Sequence, residues 1–127
     1  MENYLIDTVI IIAYLNGEKH IIEKFKTINI NISCISVGEL VAGASSSRDR
    51  EKNLHKISIL LKKAKVYKIN KDISYHYGLI KSHQEKIGKV IPINDYWIAA
   101  TAKEHDLILV SRDKHLLELD MIKTERW

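Results

Sequence analysis

Asp7, Glu39, Asp95 and Asp113 are the residues of this chain best placed to do chemistry. Asp7 ends the first apolar run, Glu39 and Asp95 stand at expected helix starts, and Asp113 follows a last apolar stretch. A parallel sheet gathers the carboxyl ends of its strands into one crevice, which is where α/β folds bind ligands. Four carboxylates in one crevice repel, and they stay ionised together only if a cation neutralises them. Oxygen-only donors suit Mg²⁺ or Mn²⁺. The chemistry to expect is metal-assisted attack on a phosphodiester.

Each acid also has a plainer reading. Asp7 and Asp113 have the residue type and position of turn formers or helix N-caps. Glu39, fourth in Ser36-x-x-Glu39, matches a capping box at a helix start, and Asp95 matches a first-turn acid that complements the helix dipole. The joint placement outweighs the four separate readings, because one fold would bring all four to the same crevice. Arg112 and Lys114, adjacent to Asp113, are candidates to hold a phosphate backbone, with solvated surface charge as their plainer role.

The elements that must position these residues follow from periodicity and punctuation. A buried strand is expected at 4–6 and an apolar helix at 9–15, stopped by Asn16-Gly17. A polar helix follows at 18–26, a β-branched strand at 31–35, and a short helix from Ser36 to Gly43. Residues 44–47 read as a loop, and 48–65 as a long amphipathic helix with Leu54, Ile57, Leu60, Leu61 and Ala64 inward. A strand at 66–69 and a helix at 72–86 come next. Gly88 and Pro92 then break the chain before a helix at 95–105, whose Ala99, Ala100 and Ala102 permit close approach to a neighbour. A strand at 107–110 and an edge strand at 121–123 complete the pattern. Strands alternating with helices imply an α/β fold, a three-layer sandwich with a mainly parallel central sheet, in a single domain over 1–127.

Composition narrows the class. The 127 residues are 46% hydrophobic and 28% charged, values of an ordinary globule. The longest apolar run is too short to span a bilayer, and the opening Met-Glu-Asn-Tyr lacks a basic signal region, so a cytoplasmic protein with no membrane partner is expected. Cys34 is the sole cysteine and reads as a small buried hydrophobe. Six histidines show no zinc spacing, and no glycine-rich phosphate loop follows the first strand. Lys and Arg exceed Asp and Glu by 20 to 16, with pI about 9.1, a mild excess that suits a polyanionic substrate but is common in other proteins.

The ordered set Leu5-Ile6-Asp7-Thr8, Val37-Gly38-Glu39-Leu40-Val41-Ala42-Gly43, Asn94-Asp95-Tyr96-Trp97-Ile98-Ala99-Ala100-Thr101-Ala102 and Val110-Ser111-Arg112-Asp113 resembles a PIN-domain ribonuclease of the VapC toxin type. Residues 77–81 also resemble that family's central helix. The resemblance implies an endoribonuclease that uses Mg²⁺ or Mn²⁺ at Asp7, Glu39, Asp95 and Asp113, with Thr8 and Ser111 orienting the first and last acids. It implies an RNA substrate, a cognate VapB-type antitoxin that docks between the early helices and covers the crevice, and a homodimer. Two positions depart from the pattern: Val9 stands where the family commonly has Asn after Asp-Thr, and Leu116 stands for its usual aromatic.

Three competitors remain in view. A PIN-fold RNA- or protein-binding module, catalytically weak or inactive because of Val9, is disfavoured by the retention of all four acids. A haloacid-dehalogenase-type phosphatase needs a second Asp two residues after the first, where this chain has Val9. A receiver domain needs paired acids before the first helix and a lysine on its last strand, and both are missing.

Overall fold

The structure, a computed structural model, describes residues 3–127. Met1 and Glu2, on which the reading of the chain's opening partly rests, lie outside the described residues. The chain runs β1 (Tyr4–Ile6), α1 (Thr8–Leu15), α2 (Lys19–Phe25), β2 (Asn31–Ser33), α3 (Cys34–Ser45), α4 (Arg50–Lys63) and β3 (Lys65–Tyr67). It continues through α5 (Lys71–Lys86), α6 (Ile93–Glu104), β4 (Ile108–Ser111), α7 (Lys114–Leu117) and β5 (Thr124–Arg126). The sheet has the order β3-β2-β1-β4-β5. Every pair is parallel, so the expected sandwich is found and its sheet is wholly rather than mainly parallel.

Successive strand residues point to opposite faces, and the apolar strands fill both. Ile6, Ile32 and Val110 pack with Ile10, Ile21, Leu40 and Leu60 of α1 to α4. Leu5 and Leu109 pack with Ile73, Ile80, Tyr96 and Ile98 of α5 and α6 on the other side. Three layers result. The strand order makes β1 the pivot, because the chain leaves it toward β2 and β3 and later returns to β4 on its other flank. The crevice beyond the carboxyl ends of β1 and β4 is therefore the topological switch point of the sheet. Asp7 N–H donates to Val110 C=O at 3.0 Å and ties the two strands just there.

Several boundaries differ from the sequence expectation. The capping-box reading of Ser36-x-x-Glu39 is corrected, because α3 opens at Cys34 and Ser33 caps it, its hydroxyl accepting Ile35 N–H at 3.1 Å. Ser36 is instead a fully buried residue within the helix. Ala44 and Ser45, expected in a loop, complete α3, and Ala44 joins the core. Asp95 sits in the first turn of α6, which Pro92 precedes, rather than at its opening. Cys34, expected to be buried, is only partly so. The edge strand lies at Thr124–Arg126 because β4 sets its register, with Leu109 opposite Thr124, while Met121 and Ile122 pack against the α5–α6 core. Gly17 and Gly88, at φ +83° and +72°, end α1 and α5 in the left-handed region that a side chain would disfavour.

Candidate active site

Asp7 leaves β1 with extended backbone and caps α1, its Oδ1 accepting Thr8 N–H at 2.8 Å. Its Oδ2 accepts the Ser111 hydroxyl at 2.7 Å. The cap reading and the site reading therefore hold together: capping aims the carboxyl group, and burial of all but 6% of the residue keeps it there. Burial pushes the Asp7 carboxyl above its ordinary pKa, the Ser111 and Thr8 bonds pull it down, and the charges of Glu39 and Asp113 push it up.

Asp113 repeats this arrangement after β4. Its Oδ1 accepts His115 N–H at 2.8 Å and caps α7, a single turn that the sequence reading did not contain. Asp113 N–H donates to the Ser111 oxygen at 3.0 Å, so one hydroxyl joins Asp7 to the backbone of Asp113.

Glu39 is held from two sides. Thr8 Oγ1 lies 2.7 Å from Glu39 Oε1 and 2.8 Å from Ser36 Oγ. A threonine hydroxyl has one proton, which goes to the carboxylate, so Ser36 donates in turn to Thr8. Asn94 Nδ2 approaches Glu39 Oε2 at 3.4 Å. Thr8 thus orients Glu39 through its side chain and Asp7 through its backbone. Ser36 and Asn94 are site residues that the sequence reading missed. The signal for Ser36 was its i, i+3 spacing to Glu39, which places both on one helix face.

Asp95 completes the group from the first turn of α6. That turn is anchored by buried Tyr96, whose hydroxyl accepts Ile91 N–H at 3.2 Å, and by Trp97 stacked on Tyr77 at 3.9 Å. Partial burial first, then the charges of Asp7, Asp113 and Glu39, push the Asp95 carboxyl up to about 6. The four acids from four elements therefore face one another electrostatically. Among the described residues none of them forms an ion pair with Lys, Arg or His. Nor do any three His, Cys, Asp or Glu there stand closed up as a ready metal-ligand set.

Arg112 turns away from the acids. Its guanidinium pairs with Glu18, Nη1 lying 3.0 Å from Oε2, and its Nε donates to the Trp127 main-chain oxygen at 2.7 Å. It braces Glu18, at the start of α2, and Trp127, just past β5, against the turn between β4 and α7. Lys114 is 80% exposed, with its Nζ 4.0 Å from Glu118.

The PIN domain family model matches residues 4–121. The chain belongs to the PIN-domain family. Ribonuclease VapC2 of Haemophilus influenzae (strain Rd) is 33% identical over 133 residues, spanning 100% of this chain and 99% of its own. The tRNA(fMet)-specific endonuclease VapC of Salmonella typhimurium is 28% identical over 131 residues, with 100% and 99% covered. Among solved structures, DNA-bound VapBC from Salmonella typhimurium superposes with a TM-score of 0.92 at 26% identity, covering 100% of this chain and 99% of that one. VapBC2 from Rickettsia felis, bound to a DNA fragment from its promoter, gives 0.91 at 26% identity and 98% coverage of both chains. The PIN fold expected from the ordered motifs is the fold observed.

Proposed function

We propose that this PIN-domain protein is the endoribonuclease toxin of a toxin–antitoxin pair, hydrolysing RNA at Asp7, Glu39, Asp95 and Asp113 with Mg²⁺ or Mn²⁺. One observation carries the reading: four carboxylates whose charges act on one another surround the switch point, and among the described residues no cation pairs with any of them. Asp95, pushed up to about 6 by burial first and by its like-charged neighbours second, would lose its proton more easily with a cation beside it. The donors are all oxygens, which fits a hard divalent ion, and relatives named ribonuclease and endonuclease align over the whole chain.

In this reading the four carboxylates would hold the ion, which would supply a water of lowered pKa and positive charge beside the scissile phosphate. Ser111 fixes Asp7 against the Asp113 backbone, and the Ser36–Thr8 pair fixes Glu39. Both hydroxyl bridges set carboxylate orientation before substrate arrives, so less reorganisation is needed at reaction. Lys114, exposed beside Asp113, is the nearer candidate for the RNA backbone, since Arg112 is committed to Glu18.

A VapB-type antitoxin is the proposed partner. The groove between α1, α3 and α4, about 200 Å³ and lined by Ile12, Leu15, Leu40 and Ile57, runs up to Glu39. Val9, Ile12 and Val41 stay exposed around it, an apolar surface that a partner helix would cover. A homodimer is proposed on a separate exposed apolar set, Tyr75, Leu79, Ile87, Val90 and Ile93. Among the described residues no helix is long and apolar enough to cross a membrane, and a cytoplasmic location is proposed from the expected RNA substrate. The test is cleavage of structured RNA by the pure protein. Activity is expected with Mg²⁺ or Mn²⁺ and none with excess chelator, and cleavage that survives chelation overturns the shared-metal reading.

A further inference from the structure

A cavity of about 700 Å³ lies at the opposite end of the sheet from the four acids. Asn3, Ile30, Asn31 and Lys65, at the amino-terminal starts of β1, β2 and β3, form its floor. Its size is that of pockets that enclose small ligands. Tyr14, Phe25, Tyr67, Lys63 and Lys65 supply its walls. We propose that this cavity binds a nucleotide, a base carrying a phosphate, at a site separate from the carboxylates.

The charge comes first. Among the described residues no Asp or Glu lines the cavity, although these make up 16 of the 127 residues of the chain. Lys26 at the rim pairs with Glu23 at 2.9 Å, but both are largely exposed. Lys63 and Lys65 pair with no carboxylate among the described residues. Lys63 Nζ donates to the Tyr14 hydroxyl at 2.9 Å, 5.4 Å from the ring centroid and so at the hydroxyl end of the ring, and Lys65 Nζ lies over the Tyr67 ring, 4.8 Å from its centroid. A ring face is a weaker partner for an ammonium than a charged oxygen is. A phosphate entering the cavity draws both ammonium groups toward itself.

That movement accounts for the base. As Lys65 leaves, the Tyr67 ring face it covers becomes free beside the Tyr14 ring, and stacking on an aromatic ring is how proteins hold a base without sequence preference. Tyr14 is stiffened for this by its own stack on buried Phe25, at 4.5 Å and 19° between planes. The exposed Asn29 amide at the rim offers a donor and an acceptor to a base edge. An acidic peptide would use the lysines but leave the Tyr67 face that Lys65 vacates uncovered. The combination of paired lysines and aromatic faces therefore favours a nucleotide, either free or unpaired within an RNA strand.

The experiment is a binding titration in chelator, followed by calorimetry, with adenosine 5′-monophosphate, a short single-stranded oligonucleotide, inorganic phosphate and a polyglutamate peptide as probes. Binding of the mononucleotide or the oligonucleotide is expected, about tenfold or more weaker in Lys63→Ala/Lys65→Ala and restored in Lys63→Arg/Lys65→Arg. Both lysines are exposed, so melts of the variants should match wild type. Comparable mononucleotide and oligonucleotide binding identifies a free nucleotide as the source, and binding of the oligonucleotide alone identifies an RNA strand. Absence of both, affinity unchanged in the alanine variant, phosphate binding as tight as nucleotide binding, or polyglutamate binding in their place overturns the proposal. Cleavage is not read, so loss of the nuclease assignment leaves this result standing, and Asp95→Asn should bind like wild type.

Discussion

The Ser111 hydroxyl donates to Asp7 Oδ2 across 2.7 Å, linking side chains that lie 104 positions apart in sequence at the ends of adjacent strands. The same oxygen accepts the Asp113 N–H, so Ser111 aligns one acid by its proton and the next by its lone pair. This bond also lowers the Asp7 carboxyl pKa against the rise that burial causes. Ser111→Ala is therefore expected to raise that pKa further and to weaken divalent-metal binding and cleavage by about 10- to 100-fold, the usual effect of losing a group that orients a ligand. Metal titration followed by melting temperature reads this directly. Unchanged metal affinity would show that Ser111 only shapes the turn.

The Ser36–Thr8–Glu39 chain allows a sharper test, because its members can be removed singly or together. Thr8→Val keeps the shape but removes the hydroxyl, leaving the buried Ser36 hydroxyl without its partner at a cost of about 1–3 kcal/mol. Adding Ser36→Ala removes the orphaned group and should recover part of that stability. Activity should not return, since Glu39 still lacks Thr8. Denaturant melts and cleavage rates of the four proteins form the cycle. Recovery of activity together with stability would mean that Thr8 acts through the fold alone.

These two bridges mark where the sequence stopped being legible. Asp7 and Asp113 could be placed because each follows a short apolar strand, and strand ends in a parallel sheet share one edge. Glu39 was expected at a helix start and lies instead inside α3, one turn beyond Ser36. Ser33 and Ser36 are both plausible caps, and only the packing of α3 against α1, where Ser36 meets Thr8, separates Ser33 as the cap from Ser36 as the buried residue. The partners of Thr8 lie 28 and 31 residues away, beyond any local pattern. Arg112 looked like a phosphate contact because of its neighbour Asp113, whereas its partner Glu18 lies on the far side of the sequence. α7 is one turn and β5 an edge strand, elements whose position is set by the preceding cap and by pairing with β4 rather than by periodicity.

Val9 tests a departure from the family pattern. Its side chain is 40% exposed in the first turn of α1, directly after Thr8, so substitution there should change stability by only about 0.5 kcal/mol or less. If an amide at this position assists the site, Val9→Asn raises turnover or metal affinity in a folded protein. No change in either would make the departure neutral and the reading of a weakened enzyme unnecessary.

The raised carboxyl of Asp95 gives a pH signature with opposite signs in the two metal states. Without metal the folded protein holds that proton up to about 6, against 3.8 ordinarily, so the fold binds it more tightly than the unfolded chain does. The metal-free protein should therefore gain stability from this group as pH falls from 7 toward 4, and lose it as pH rises through 6. Metal binding competes with the same proton, so the stabilisation by Mg²⁺ should be full at pH 8 and shrink below 6. Melts across pH 5 to 8, with and without Mg²⁺, should converge on the acid side. Parallel curves would mean that Asp95 does not face the metal.

Asp95→Asn separates the site role of this residue from its place at a helix start. If Asp95 served mainly to complement the dipole of α6, the amide would be neutral or mildly destabilising, by about 0.3–1 kcal/mol, whatever the metal. As a member of four crowded carboxylates it is a source of repulsion, and the charges of Asp7, Asp113 and Glu39 all act on it. Removing its charge should then leave the metal-free protein no less stable than wild type, while cleavage is abolished. With Mg²⁺ at about a hundred times the dissociation constant, wild type should gain roughly 2.7 kcal/mol and the variant clearly less. Thermal melts of both proteins with and without Mg²⁺, beside an RNA cleavage assay, supply the signs. A variant that loses stability without metal yet cleaves RNA normally would reduce Asp95 to a helix-start acid and remove one ligand from the proposed centre.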